Sequence, residues 1–295
     1  MTLIELITAQ SARLKQAGVS FGHGTNNAFD EAAWLVLWQL GLPLDDLDDV
    51  AQRPLTADET TAIDTLTSAR ISSRKPAAYL TGEAWLQGVP FTVDERVIVP
   101  RSLIAELIAD GSLDAWLDPR ATRALDLCTG NGSLAVLAAM AWPQLAVDAT
   151  DLSADALAVA DLNVQRHALR TRIETRQGNG LEAARGAYDL ILCNPPYVNR
   201  DSMAQLPAEY RAEPALALDG GSDGMDFIRP LLRGATRHLT PNGLLVLEIG
   251  HERAHFEAAF PRLEAVYLPT QTTDDQVLIL TADSLRAWLT TNPTP

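Results

Sequence analysis

The sequence predicts an α/β fold: a mostly parallel sheet covered by helices, with a helical bundle and a connecting hairpin ahead of it. Three observations predict it. Beyond residue 124, short apolar runs alternate with segments of helical period, the pattern of parallel strands joined by crossover helices. The first 84 residues read as helical throughout. Between the apolar run Ala124 to Leu127 and a helical stretch, Leu134 to Met140, lies Gly130-Asn131-Gly132, a tight strand-to-helix turn.

The elements follow in order. Leu3 to Ala17 is an amphipathic helix with Glu5 where a secretory signal would carry basic residues. Phe29 to Leu40 is a second helix, with Asp30 and Glu31 in its first turn. A third starts at Thr56 and runs to about Ser73, Asp58 and Glu59 complementing its dipole. Between them Pro43 and Pro54 punctuate the acidic run Asp45 to Asp49, a solvated loop or a contact for a basic partner. Trp85 to Val93 reads as a hairpin around Gly88-Val89-Pro90. Val97 to Arg101 then leads into a helix, Leu103 to Ala109. Further strands are expected at Ala146–Thr150, Ile173–Arg176, Tyr188–Cys193, Leu244–Ile249, Val266–Leu268 and Gln276–Thr281, with a helix at Ala154–Val164. The chain therefore divides into residues 1–84, a hairpin and linker helix at 85–115, and an α/β domain at 116–295.

Composition narrows the function. No apolar stretch approaches the ~20 residues of a membrane span, so no membrane partner is expected. The two cysteines, Cys128 and Cys193, stand at no metal-ligand or paired spacing, which points to a reducing cytosol, a cytoplasmic protein and no metal site. A net charge of −15 lacks the cationic excess that grips duplex nucleic acid, and suits a basic protein partner. Arg166, Arg170, Arg172 and Arg176 read as a solvated helix end and loop. His23, His167, His238, His251 and His255 are scattered and read as surface or capping residues.

Chemistry concentrates at four strand ends. After Tyr188–Cys193 comes Asn194-Pro195-Pro196-Tyr197. Two prolines freeze the backbone, so the Asn194 side-chain oxygen and the Pro195 carbonyl can each accept one N–H of a planar NH2 group, with the Tyr197 ring over its face. The alternative is a proline-stiffened turn without a site. This tip resembles the acceptor site of methyltransferases that modify amide or exocyclic amino nitrogens. The loop Asp126-Leu127-Cys128-Thr129-Gly130-Asn131-Gly132 lacks the third glycine of a dinucleotide fingerprint, position 135 being Ala. It resembles the S-adenosylmethionine loop of class I, Rossmann-like methyltransferases. Asp151, ending the second strand, is placed for ribose hydroxyls; the bland alternative is that Asp151 or Ser153 merely caps the following helix, and both hold if Ser153 caps while Asp151 binds. Asn179 stands where relatives often carry an aspartate for adenine; its oxygen can accept without the charge.

The order of helical bundle, hairpin, Val99-Pro100-Arg101, glycine loop and Asn-Pro-Pro-Tyr resembles the protein-(glutamine amide) methyltransferases over nearly the whole chain. The release-factor branch of that family usually carries Pro-Arg-x-x-Thr-Glu, and here Pro100-Arg101 is followed by Ser102-Leu103-Ile104-Ala105-Glu106. Phe21 to Asn27, Ala78 to Thr81 and Val93 to Arg96 resemble instead the ribosomal branch, which methylates one glutamine of large-subunit ribosomal protein L-three. The resemblance implies S-adenosylmethionine as cofactor, held by Asp126, Cys128, Gly130, Gly132, Asp151, Asn179 and Asn194. It implies substrate contacts from Asn194, Pro195, Pro196, Tyr197 and Arg101, catalysis by Asn194, Pro195 and Tyr197, and substrate choice by residues 1–84. The protein substrate it implies is ribosomal protein L-three, free or in an assembly intermediate, with no stable nucleic-acid partner expected. For Arg101, closing the cleft and tying the domains together are both open. Glu248, at the end of an apolar strand, is set outside the site. The alternatives are methylation of release factors, methylation of adenine amino groups in nucleic acid, and a noncatalytic assembly factor.

Overall fold

The computed structural model describes residues 1–292. Three helices, Leu3–Gln16, Ala28–Gln39 and Ala57–Ser73, form the N-terminal bundle around Leu3, Leu6, Leu14, Val36 and Ile63. Their starts are fixed locally. Thr2 with Glu5, and Thr56 with Glu59, make reciprocal capping boxes, and Asn27 accepts the N–H groups of Phe29 and Asp30. The acidic stretch folds one short turn, Leu47–Val50.

The hairpin pairs β1 (Glu83–Leu86) with β2 (Val89–Thr92). Its turn is Gln87-Gly88 rather than the expected Gly88-Val89-Pro90. Both turn residues have positive φ, +51° and +73°, the handedness that matches twisted strands.

The α/β part carries a seven-stranded sheet: β3 (Arg123–Leu127), β4 (Ala146–Asp151), β5 (Ile173–Gln177), β6 (Tyr188–Cys193), β7 (Leu239–Glu248), β8 (Val266–Leu268) and β9 (Val277–Thr281). The order is β5-β4-β3-β6-β7-β9-β8, and only β9 runs antiparallel to its neighbours. The mostly parallel sheet is as expected. Alternation along β6 feeds both cores: Leu190 and Leu192 pack with Leu134, Val136 and Trp142 on one face, Ile191 with Ile228, Leu285 and Trp288 on the other. The direction of chain progression reverses between β3 and β6, where α/β folds open a crevice at the strand ends. Among the described residues no helix is long and apolar enough to cross a membrane.

Two further expectations fail. Arg172 is half-buried and donates to the carbonyls of Ala139, Trp142 and Leu145 at 2.7–2.8 Å, closing the end of the helix Ser133–Ala141. Arg176 pairs with Asp148 at 2.7 Å and Glu174 at 2.9 Å. Free carbonyls at a helix end and a nearby buried Asp148 recruited two arginines that looked solvated. His23 is the second correction: it is 1% exposed, stacked 4.2 Å from Tyr210, with Nε2 3.5 Å from Glu213.

Tyr210 and Glu213 belong to the segment 199–218, which leaves the tip of β6 and packs against the N-terminal bundle. Glu209 in this segment meets Arg70 at 3.2 Å and Arg74 at 2.7 Å. Arg70 also reaches Glu31 at 2.8 Å and the Ser20 carbonyl at 2.9 Å. Four residues on, Glu213 takes both arms of Arg101 at 2.6 and 2.7 Å and the Val99 N–H at 2.9 Å. Burial alone would raise the Glu213 carboxyl, but Arg101 and His23 outweigh it and hold it at about 2. A carboxyl whose folded value lies below its ordinary 4.5 adds stability above pH 4.5 and loses it as the pH falls toward 2. Urea unfolding across that window is expected to show a steeper decline for the native chain than for Glu213→Gln. Equal slopes would remove Glu213 from the acid response.

Candidate active site

Strand register builds the site. Leu127 pairs with Thr150 and with Cys193, and Cys193 with Leu247. One step further along these four adjacent strands stand Cys128, Asp151, Asn194 and Glu248, in a row at the carboxyl edge of the sheet.

The loop after β3 is shaped from beneath. Asp126 is fully buried; one of its oxygens accepts the Ala135 N–H at 2.9 Å and the Thr129 hydroxyl. Burial, with the Asp151 charge adding, pushes its carboxyl up to about 7. Asp126 lies under the loop and holds it, away from the cavity wall. Gly132 has φ +81°, and a Cβ there would stand 3.2 Å from Ala160, so it lets two helices approach. Gly130 has φ +56° and open space where its Cβ would be. Cys128 adopts φ +60° and also faces the cavity.

That cavity is walled by Gly130, Asp151, Leu152, Asn179, Phe227 and Pro196. Asp151 accepts the Gly130 N–H on one oxygen and the Ser153 N–H on the other, each at 2.9 Å, while Ser153 caps the next helix through Ala156. Ser153 therefore supplies the cap, and Asp151 lines the cavity. A carboxylate offers about four lone-pair positions, so two remain to accept from a vicinal diol. Burial pushes its carboxyl up, against the N–H bonds it accepts. With a glycine that leaves room, a diol acceptor, the Asn179 amide and the apolar Leu152 and Phe227, the residues fit a nucleoside.

On the other side of Asn194 a second cleft is lined by Arg101, Pro195, Tyr197, Tyr210, His251 and Gln276. Asn194, with Ile98 and Ala217, borders both spaces. Arg101 both lines this cleft and ties segment 199–218 through Glu213.

Sequence reasoning missed what fixes Tyr197. Its hydroxyl donates to Glu248 at 3.0 Å, and the other Glu248 oxygen accepts Ser102 Oγ at 2.6 Å and the Leu103 N–H at 2.9 Å. Burial pushes the Glu248 carboxyl up, against these bonds, and burial with the Glu248 charge keeps Tyr197 a neutral phenol. A Cβ on Gly220, Gly224 or Gly250 would come within 2.7 Å of Tyr197. The available signal was the glycine-rich stretch Gly220 to Gly224 and an acid ending the apolar β7.

A family model described as the methyltransferase small domain matches residues 112–210. Over 287 residues the chain is 54% identical to the ribosomal protein uL3 glutamine methyltransferase of Bordetella pertussis, covering 96% of each chain. The chain belongs to the ribosomal protein uL3 glutamine methyltransferase family. The Burkholderia pseudomallei protein of the same name is 49% identical, over 97% of this chain and 96% of its own. Among solved structures, the hMettl16 catalytic domain bound to MAT2A 3′UTR hairpin 6 aligns with a TM-score of 0.52 at 14% identity, covering 77% of this chain and 81% of that one. At that distance the likeness shows a shared fold. This member of the uL3 glutamine methyltransferase family is thus a methyltransferase of the class I fold, with candidate site residues at the ends of β3, β4, β6 and β7.

Proposed function

We propose that this protein transfers a methyl group from S-adenosylmethionine to the side-chain amide nitrogen of one glutamine in ribosomal protein uL3 (L-three), in the cytoplasm. The observation that carries this is Asn194, whose amide stands where the nucleoside-shaped cavity meets the second cleft. Asp151, Gly130 and Asn179 would hold the ribose and adenine, Cys128 and Pro196 lie on the same wall, and Asp126 and Gly132 act by shaping the loop. Bound there, S-adenosylmethionine supplies an electrophilic methyl group.

The chain's own residues do the rest. A glutamine amide nitrogen is a weak nucleophile because its lone pair is delocalised, so positioning and charge stabilisation must carry the reaction. The Asn194 oxygen and the Pro195 carbonyl accept the two N–H bonds. These bonds strengthen as positive charge grows on nitrogen, and the proline backbone has fixed them beforehand. Tyr197, clamped by Glu248 and three glycines, packs against the amide. No side chain is assigned as general base: the pair of the broken methyl–sulfur bond would stay on sulfur, and the proton that the methylated nitrogen must shed would go to water.

The cleft's charge favours a protein over nucleic acid. Among the described residues Arg101 is the one guanidinium lining it, and both arms are spent on Glu213. A phosphate backbone calls for unspent cations. Incubation with labelled cofactor and, separately, uL3, release factor or nucleic acid tests the assignment; label is expected on uL3. Preferential label on a release factor or on nucleic acid would overturn it.

Asp151→Ala is expected to weaken cofactor binding by roughly 1.5–3 kcal/mol, through lost charge-assisted bonds to the hydroxyls and a loosened Gly130 loop. Calorimetric titration reads the change. Unaltered affinity in a folded variant would take Asp151 out of the cofactor site.

A further inference from the structure

The second cleft continues outward past Asn194 and Tyr197 to a rim built from both parts of the chain. Asn26 reaches it from the N-terminal bundle; Thr272 and Gln276 face it from the loop before β9. His251 joins them, its Nδ1 2.9 Å from Gln276 Nε2. Asn26 and Thr272 are exposed. Among the described residues, the Asn26 amide, the Thr272 hydroxyl and the Gln276 side-chain oxygen take no side-chain partner in the fold, whereas Arg101, Tyr197 and Glu248 deeper in the cleft are committed.

The length of a glutamine makes this rim significant. Its amide nitrogen lies only about 5 Å from its own Cα by ordinary bond lengths. An amide seated on Asn194 therefore brings its main chain across the mouth where these three groups stand. Each residue of that chain presents one N–H and one C=O. In a helix or a paired strand these are already used. In an unpaired, extended segment they are free, and uncharged amide and hydroxyl groups can pair with them. The rim's neutrality, Arg101 being held by Glu213, suits a peptide backbone.

We propose that Asn26, Thr272 and Gln276 form a peptide-backbone subsite that holds an extended, unpaired segment of the protein substrate on either side of the target glutamine. His251 acts through Gln276, keeping its amide turned so that the oxygen points outward. The subsite rests on the glutamine-methylation assignment above and adds to it which part of the substrate is read, and in what conformation.

The test uses the full-length enzyme with purified uL3, comparing the native chain with Asn26→Ala/Gln276→Ala. Losing two such hydrogen bonds should raise KM for uL3 roughly tenfold, while kcat falls by far less and calorimetric cofactor affinity holds. Glutamine blocked at both ends as N-acetylglutamine methylamide has too little main chain to span the rim. Its turnover should therefore suffer much less than that of uL3. Unchanged KM for uL3, or equal loss on both acceptors, would overturn the subsite while leaving the methyltransferase assignment standing. A native enzyme that does not methylate uL3 would remove both.

Discussion

Asn194→Ala is expected to lower methyl transfer a hundredfold or more while cofactor affinity stays close to that of the native chain. In the proposed reaction the Asn194 oxygen is one of two acceptors for the reacting NH2, and removing one such preorganised dipole typically costs about two orders of magnitude or more in turnover. On the cofactor side the side chain only borders the cavity, whereas Asp151 and Asn179 offer the polar contacts. Single-turnover rates measured beside calorimetric affinities separate the two effects. If binding and turnover fall together, Asn194 is a cofactor or folding residue.

Arg70→Ala is expected to destabilise the fold by about 3–5 kcal/mol, because it leaves the buried Glu31 carboxylate without its cation. Arg70 is fully buried, as are Glu31 and Glu209, and it bonds both. Arg74 stays with Glu209, but Glu31 is left with Thr25 alone at 3.2 Å. The half-exposed pair Arg13–Asp64 gives the contrast: equally short at 2.8 Å, it lies in high-dielectric surroundings and should be worth no more than about 1 kcal/mol. Urea unfolding of Arg70→Ala beside Arg13→Ala measures the difference. Similar small losses would mean that water reaches the Arg70 cluster.

The same cluster seats a segment that borders both the cavity and the second cleft. Segment 199–218 gives Pro214, Leu216 and Ala217 to the cofactor-side cavity and Leu206, Tyr210 and Leu218 to the acceptor cleft, while Glu209 and Tyr210 seat it on the N-terminal bundle. A bundle exchanged between relatives would have to match these buried pairs before its substrate preference could be read.

The sheet was legible because its strands announce themselves locally: β6 is apolar from Leu190 to Cys193, and β4 ends at an acid before a capped helix. The tip and the loop were legible because proline and glycine restrict backbone whatever surrounds them. What escaped depends on partners far apart in sequence. Glu209 and Arg70 are 139 positions apart, and each alone looks like a surface charge. The helices Arg200–Gln205 and Ala208–Arg211 are too short to show a period. Asp126 was placed among cofactor ligands by the resemblance, and nothing local reveals that Thr129 and Ala135 hold its carboxylate beneath the loop. Glu248 was left aside as a strand end, since nothing local reveals the Tyr197 hydroxyl 51 positions away.

Tandem mass spectrometry of uL3 after reaction with the purified enzyme and S-adenosylmethionine locates the transferred methyl group. One methyl on the side-chain nitrogen of a single glutamine, absent with Asn194→Ala, is the expected result. A methyl on any other side chain, or an unmodified uL3 beside a methylated release factor or nucleic acid, would contradict the assignment of this site to a glutamine amide of uL3.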